Sequence, residues 1–530
     1  MALPSERDLP LLAEREPDAR WVWPDTAAIY PSLLAAGVRV TRCYDLRLCA
    51  RILRLAVADA RSPSWLETAP PAAERTLLDD LGSEPVTREQ IEAELDRQQQ
   101  AIARAADPGR LRLLLAAESA GALIAAEMRF DGLPWSRPRH EEILTAALGP
   151  RPPAGYRPAV MERLAIEIAG HLGAPHLNPD SPVELLKALR AAGLDVASTS
   201  KWELQRSDHP VVAPLLEYKK LARLLSANGW AWLDAWVEPG ITGRASRFRT
   251  DYVPGGVVTG RWATSGGGAL QIPKQLRAAI VADPGWRLVV ADAAQIEPRV
   301  LAAMARDEAL ATAGAGHDLY AGLVDAGVVD TRPHAKVGML GALYGGTTGQ
   351  SGLVLPRLRQ AYPRAVGLVD DAARTGERGG TVHTWLGRTS PPPSEAWRTQ
   401  QHEAALVEAS PGDERRARAR ARDWGRFTRN FIVQGTAAEW ALCWMADLRR
   451  RLRAIPATAD GDPRSPGQGR PHLVYFLHDE IVVHTPAEHA DAVAEHVQAA
   501  ADAAGRLLFG EFPITFPLDV AVVDSADLAD

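Results

Sequence analysis

Two aspartates in this chain each follow a short apolar run with the length and composition of a buried strand. The first run, Trp286-Arg287-Leu288-Val289-Val290-Ala291, comes after the turn residues Asp283-Pro284-Gly285 and ends at Asp292. The second, Leu473-Val474-Tyr475-Phe476-Leu477, leads into His478-Asp479-Glu480 and then Ile481-Val482-Val483, which reads as a hairpin with an acidic tip. Strand ends hold carboxylates rigidly. An acidic tip between buried strands needs a reason such as a cation, because a buried unpaired charge is costly. Asp292 and Asp479 form the natural pair for two-metal phosphoryl transfer, in which carboxylates bridge ions about 3.5–4 Å apart. Magnesium suits such oxygen donors and keeps waters that phosphates can replace. Taken alone, Asp292 reads better as the N-cap of a strand-to-helix turn, whereas a solvated acidic turn fits the hairpin tip less well because apolar strands flank it. The helix expected from about Gln295 to Arg306 buries Ile296, Val300, Leu301 and Met304 and orients Glu297 toward the same cleft.

Cationic chemistry comes from a third segment. Arg332, Lys336, Leu340 and Tyr344 are spaced four apart, between the cap signal Asp330-Thr331 and the stop Gly345-Gly346, so they share one helix face. The first two present positive charge to a chain of phosphates and reduce the repulsion met by an incoming oxygen nucleophile. Of the 60 cationic side chains only six are lysine, and the last of them is Lys336. A merely solvated stripe leaves unexplained why the face turns from basic to apolar to aromatic beside a Gly-Gly stop.

The elements that position these groups need a large chain, and 530 residues with 46% hydrophobic content provide three or four structural units. No apolar run reaches the roughly 18 residues of a membrane span. An acidic N-terminus without an apolar signal core points to the cytoplasm, and Cys43, Cys49 and Cys443 are too scattered for a disulfide framework or a zinc site. The net charge of −6 does not exclude a nucleic-acid partner, since a basic cleft can sit on an acidic body. Residues 1–60 alternate apolar and turn-forming stretches, as a small α/β unit does. Residues 62–110 read as a linker and a solvated helix, followed by a long helix from Leu111 that stops at Asp131-Gly132. Met161 to Trp236 is helical, broken at Asn178-Pro179-Asp180 and Ser207-Asp208-His209-Pro210, with Leu215, Leu216, Leu221, Leu224 and Leu225 as core. Residues 460–470 read as a surface loop.

In their order along the chain, Val290 to Arg299, Arg332 to Gly345 and Leu477 to Glu480 resemble motifs A, B and C of the family A DNA polymerases, the group of bacterial DNA polymerase I. The resemblance covers roughly residues 111–530. It implies a mixed α+β right-hand polymerase fold of palm, fingers and thumb, with a small N-terminal α/β exonuclease-like domain. On that reading residues 1–110 are the exonuclease-like module and 111–530 the polymerase. The thumb is expected at about 160–240, the palm at about 241–316 and 425–530, and the fingers at about 317–424. Asp292 and Asp479 are then the metal ligands for two Mg²⁺ ions, for which Mn²⁺ substitutes, and Glu480 is an ancillary carboxylate. Lys336 joins them in catalysis. Arg332, Lys336, Leu340, Tyr344, His317 and Gln295 bind the nucleotide, with Glu297 as the steric gate against a ribose 2′-hydroxyl. The segment Thr259-Gly260-Arg261 with Leu270-Gln271-Ile272-Pro273, together with Arg426, Asn430, Gln434 and His478, contacts DNA.

Several positions depart from the family pattern: Ala293 and Ala294 where Tyr and Ser are usual, Pro298 for an aliphatic residue, Leu340 for an aromatic ring and Phe476 for Gln. The stretch from Tyr344 to Tyr362 is also short. In the N-terminal module Tyr44-Asp45-Leu46 is similar to the second acidic motif of the proofreading domain, but the other acidic motifs are missing, which implies an inactive module. The expected protein is a monomeric, cytoplasmic, nucleoid-associated enzyme with no membrane partner. It extends primer-template DNA with dNTPs in repair or replication, without proofreading. The alternatives are a catalytically impaired primer-template binding protein and an enzyme like the single-subunit RNA polymerases. The Arg415 to Arg422 run suits a solvated helix and a DNA backbone equally.

Overall fold

The computed structural model describes residues 16, 18–67, 86–240, 245–346, 349–407, 409–458 and 466–529. Most of the expected linker and of the 460–470 loop lies outside them. The chain opens with β1 (Arg20–Trp23), α1 (Thr26–Ala35), β2 (Arg42–Asp45) and α2 (Leu46–Ala56), β1 and β2 pairing in parallel. Then come α3 (Ser64–Glu67), α4 (Arg88–Ala103) and α5 (Pro108–Asp131). The next stretch holds β3 (Leu133–Trp135), α6 (Arg137–Leu148), α7 (Ala159–His171), α8 (Pro182–Ala191), α9 (Lys201–Leu204), α10 (Val212–Asn228), α11 (Trp230–Trp236), β4 (Val237–Glu238) and β5 (Ser246–Phe248). A hairpin of β6 (Asp251–Val253) and β7 (Ala263–Gly266) precedes β8 (Trp286–Ala293). After it run α12 (Ile296–Ala305), α13 (Glu308–Ala313), α14 (Leu319–Asp325), α15 (Arg332–Tyr344), α16 (Gly349–Ala361), α17 (Pro363–Glu377), α18 (Glu395–Ala404) and α19 (Pro411–Ala454). The chain closes with β9 (His472–Leu477), β10 (Glu480–Pro486), α20 (Ala490–Phe509) and β11 (Leu518–Val523).

Two compact units result. One joins Met1–Gly132, Asp251–Gly266 and Gly285–Val523; the other joins Leu133–Thr250, Gly267–Pro284 and Asp524–Asp530. Position 110/111 falls inside α5, and the expected palm segment 241–316 is divided between the units. The second unit is mainly helical, with a small sheet in the order β3-β5-β4. Its core includes Leu215, Leu221 and Leu224, whereas Leu216 and Leu225 are only half-buried. Beside them Trp135, His140, Trp232 and Phe248 form an aromatic cluster. His140 accepts from Trp135 Nε1 at 3.2 Å, and burial pushes its imidazole down to about 4.

The first unit is built around a four-stranded sheet in the order β11-β8-β10-β9, all neighbours antiparallel. β8, β9 and β10 are nearly continuous buried apolar runs, with α20 packed on β8 and β10 and α19 on α20, whereas the edge strand β11 is largely exposed. Trp440 and Trp444 of α19 lie in that core, Trp440 stacking on Phe516 at 4.9 Å. The 44-residue α19 is about 66 Å long at 1.5 Å per residue. It carries the Arg415 to Arg422 run on its first turns, where Arg416 and Arg418 pair with Asp413 and Glu414. The face of α4 expected to be solvated is in part buried, since Gln98 accepts from Tyr44 Oη at 3.0 Å and donates to the Leu46 carbonyl at 2.9 Å. In α12, Met304 is half-buried, and the apolar face is completed by Ala302 and Ala303 instead.

A buried carboxylate gives this unit a pH signature. Glu439 on α19 accepts from the Thr384 hydroxyl and from the Leu386 N–H at 2.9 Å. Burial nevertheless raises it to about 7, with the Glu118 carboxylate adding to the rise. The folded protein therefore holds a proton that the unfolded chain releases near 4.5. Its contribution to stability is complete below that value and is lost as pH climbs through about 7. Glu439→Gln is expected to flatten the decline in denaturation midpoint between pH 5 and pH 8; an unchanged slope would place the titration elsewhere.

Candidate active site

The sheet brings the two sequence-distant aspartates together. Asp292 is the penultimate residue of β8, and the register sets it beside Glu480 of β10 on one side and Asp519 of β11 on the other. The Ala293 N–H donates to the Asp479 carbonyl at 2.9 Å, pinning the β9–β10 turn to the end of β8. That turn is only His478 and Asp479; Glu480 is already in the strand and buried, so it is not at the hairpin tip as expected. His478 makes the reversal possible by adopting a left-handed conformation with φ of 57°. Burial and the neighbouring Asp292 carboxylate push Asp479 up to about 7. Two carboxylates crowded in this way favour a cation between them. Among the described residues no group of three or more His, Cys, Asp or Glu could hold a metal. Asp292 and Asp479 would offer a divalent cation such as Mg²⁺ hard carboxylate oxygens.

Asp292 does not cap the following helix. That position belongs to Gln295, also left-handed with φ of 52°, which makes no side-chain cap of its own. The Gln295 side chain turns to α14, donating to Asp318 Oδ1 at 3.0 Å and accepting from the Leu319 N–H at 2.7 Å. The strand-to-helix corner is held by Arg299, a residue the motif reading left without a role. Its fully buried guanidinium donates to the carbonyls of Ala294, Gly314, Thr515, Gly316 and His317. Burial lowers it to about 10.

The cationic helix forms as the spacing requires. Thr331 caps α15 by accepting from the His334 N–H, and Gly345 ends it in the left-handed region with φ of 75°. A Cβ at Gly345 would meet Arg426 Cγ at 2.9 Å, so this stop also admits the neighbouring helix α19. Tyr344 Oη donates to Glu297 Oε2 at 2.7 Å and accepts from Gln434 Nε2 at 3.3 Å. Arg261 pairs with the other oxygen of Glu297 at 2.5 Å. Arg261, Glu297, Tyr344 and Gln434 therefore form one connected network, and Arg426 and Asn430 share the Gln434 face of α19. Arg332 pairs with Asp318 at 2.5 Å, and His317 pairs with Asp519 at 3.0 Å. Lys336 is exposed and has no ion-pair partner among the described residues, while Leu340 is half-buried.

Tyr320 belongs to the site although it was not singled out. Arg332 lies over its ring at 5.7 Å from the centroid. Burial, followed by the Glu297 carboxylate, raises its phenol to about 12. Its signal in the sequence was its place in the first turn of a helix capped by Asp318. Gln271 lies on a 3₁₀ turn (Ala269–Gln271) of the second unit. Phe476 packs edge-on against Trp262 at 5.0 Å, and its N–H donates to Tyr252 Oη at 3.3 Å, so an apolar ring suits that place.

Comparison with known proteins gives the family and the fold. Residues 159–525 match the model of DNA polymerase family A. DNA polymerase I of Chloroflexus aurantiacus is 28% identical over 336 residues, 58% of this chain and 32% of that protein. The thermostable DNA polymerase I of Thermus aquaticus is 28% identical over 351 residues, 61% of this chain and 37% of that protein. The chain thus spans about a third of the length of these curated relatives. Among solved structures, the POL domain of Pol1 from M. smegmatis, in complex with DNA primer-template and dNTP, superposes with a TM-score of 0.67. That match covers 92% of this chain and 82% of the other at 19% identity, a likeness of fold. The chain belongs to the family A DNA polymerases.

Proposed function

We propose that this chain is a template-directed DNA polymerase that adds deoxynucleotides to a primer 3′-hydroxyl. The observation that carries the reading is the convergence of Asp292 and Asp479 at one end of the sheet, in the same unit as the Arg332–Lys336 face and the Glu297 network. Asp292 and Asp479 would hold two Mg²⁺ ions, with Glu480 beside them. Bound there, the ions would activate the attacking hydroxyl and stabilise the charge on the departing pyrophosphate. Lys336, Arg332 and Tyr320 bind and orient the triphosphate, and fixed positive charge lowers the barrier most where negative charge accumulates. Glu297, held by Arg261 and Tyr344, crowds the sugar where a ribose would carry its 2′-hydroxyl.

In the N-terminal module both oxygens of Asp45 are engaged, one by the Leu48 N–H at 2.9 Å and one by the Thr26 N–H at 2.7 Å. A carboxylate used as a helix cap is poorly placed to serve an exonuclease centre, which supports synthesis without proofreading. In this reading the protein acts as a monomer on primer-template DNA in the cytoplasm, in repair or replication.

The test is extension of a labelled primer-template with Mg²⁺ and four dNTPs, run beside four rNTPs and a mismatched primer end. Extension with dNTPs alone and no shortening of the mismatched primer is the expected result. Extension with rNTPs would point to the RNA polymerase class, and shortening would restore a nuclease to the N-terminal module.

The pairing of Arg332 with Asp318 gives a sharper expectation. Before a nucleotide arrives, Asp318 occupies the guanidinium that the phosphates need. Asp318→Asn keeps the Oδ1 acceptor for Gln295 Nε2 and for the N–H groups of Tyr320 and Ala321, yet removes the competing charge. The KM for dNTP is expected to fall about two- to fivefold at low salt, with the gain fading as salt screens it. A raised KM in steady-state extension would show that Asp318 is needed only as a cap.

A further inference from the structure

A second set of charged side chains surrounds a cavity of about 220 Å³ in the first unit. To its wall α5 contributes Glu127 and Asp131, α19 contributes Arg449 and Arg453, the segment between α1 and β2 contributes Arg39, and Arg470 stands just before β9. None of the residues placed in the polymerase site lines it. Four guanidiniums thus face two carboxylates.

Both carboxylates are already engaged. Asp131 accepts from Arg39 through both oxygens, at 3.0 Å for Oδ2, and its Oδ1 also accepts from the Gly467 N–H at 2.8 Å. Glu127 is bound at both oxygens by Arg449 and at one by Tyr30 Oη. Arg453 and Arg470 are half-buried and have no ion pair among the described residues. Arg453 donates instead to the carbonyls of Val40 and Arg39, each at 2.8 Å, and Arg470 to those of Arg453, at 3.3 Å, and Ile455. Carbonyls orient a guanidinium without cancelling its charge. The Arg39 side chain is only 10% exposed, and its Nε is buried with no hydrogen-bond partner among the described residues. Arg449 and Arg453 stand one helical turn apart, a destabilising spacing for like charges. Burial, followed by repulsion from Arg449, holds the Arg453 guanidinium below its ordinary value.

A water-filled void inside a structural network explains the bonds to carbonyls. It leaves two cations over, because water brings no negative charge and a poorly solvated charge without a counterion is costly. The cavity is several times the roughly 30 Å³ of one water, so it admits a tetrahedral oxyanion with waters around it. Guanidinium forks favour phosphate among anions because they donate to its oxygens in pairs.

We propose that this cavity binds free inorganic phosphate, either orthophosphate or pyrophosphate, on Arg453 and Arg470, with Arg39 Nε as a further donor. The proposal does not depend on the polymerase reading.

Equilibrium dialysis of labelled orthophosphate against the full chain, in chloride buffer without divalent cation, tests it. Saturable binding, weakened about tenfold or more by Arg470→Gln and unchanged by Arg332→Ala with Lys336→Ala, is expected. Displacement by pyrophosphate at a lower concentration than by unlabelled orthophosphate identifies the diphosphate as the ligand; the reverse order identifies orthophosphate. The denaturation midpoint, read in parallel, separates binding from folding: saturating phosphate is expected to raise that of the wild type and to leave that of Arg470→Gln in place. Arg470→Lys, which keeps the charge and removes the fork, is expected to bind with an affinity between the two. The proposal is overturned if the wild type shows no saturable binding, if Arg470→Gln binds or is stabilised as the wild type is, or if the Arg332 and Lys336 substitutions abolish binding. It is equally overturned if malonate displaces phosphate as well as phosphate does, because the cavity then recognises charge alone.

Discussion

Alanine in place of Asp479 is expected to lower primer extension by about 10³-fold or more while leaving primer-template affinity within about twofold, as for a group whose role is to stabilise the transition state. Asp479 is poorly solvated and sits close enough to Asp292 to be raised to about 7. Such an arrangement is unfavourable in the empty protein and becomes favourable once positive charge enters, which is the signature of a site built for a cation. Asp519 provides the control. It is also in register with Asp292, but it is exposed and engaged with His317, so Asp519→Ala is expected to cost less than about tenfold. Equal losses for the two substitutions, measured by single-turnover extension at saturating nucleotide, would mean that summed negative charge matters and not the particular pair.

The second large effect is on stability. Arg449 of α19 donates to both oxygens of Glu127 at 2.7 Å and to the carbonyls of Thr41 and Val40 at 2.9 and 2.6 Å. Glu127 also accepts from Tyr30 Oη at 2.6 Å. Burial alone would raise Glu127, yet the guanidiniums of Arg449 and Arg39 hold it down at about 2. Arg449→Ala strands this charge in a dry setting and is expected to destabilise the N-terminal module by about 3–5 kcal/mol. The readout is the denaturant midpoint of the fluorescence transition of Trp21 and Trp23, which lie in β1. Arg449→Met combined with Glu127→Gln is expected to recover most of the loss, since neither charge is then left alone. A loss under about 1 kcal/mol for Arg449→Ala would show that water reaches Glu127 in the folded state.

Local chemistry made much of the site readable. Val289 and Val290 after Pro284-Gly285 specify a strand that closes one residue past Asp292, and Thr331 with Gly345 specify both ends of the cationic helix. Those signals lie within a few residues of the groups they position. What escaped depends on partners distant in sequence. Arg299 takes carbonyls from residues as far away as Thr515, and no pattern around position 299 announces a buried arginine. Glu127 and Arg449 are separated by 322 residues, so their pairing appears only when α5 and α19 pack. The position of Asp519 beside Asp292 is a matter of strand register, set by how β11 returns to the sheet. The division into two units was likewise hidden, because each gathers segments that are not adjacent in the chain.

Gln295 and His478 are both left-handed; Gln295 stands just after the strand that carries Asp292, and His478 directly precedes Asp479. Each such conformation costs roughly 1–3 kcal/mol in a residue other than glycine, and branching at Cβ makes it worse. Valine, isoleucine and threonine are thereby shut out at two places in the chain's sequence space, whatever their merits as strand formers. Drift there can alter what the side chains touch, but it is confined to residues that tolerate a reversed backbone. The end of the sheet that holds Asp292 and Asp479 is thus guarded by a stereochemical filter that acts on backbone shape before any selection for reactivity.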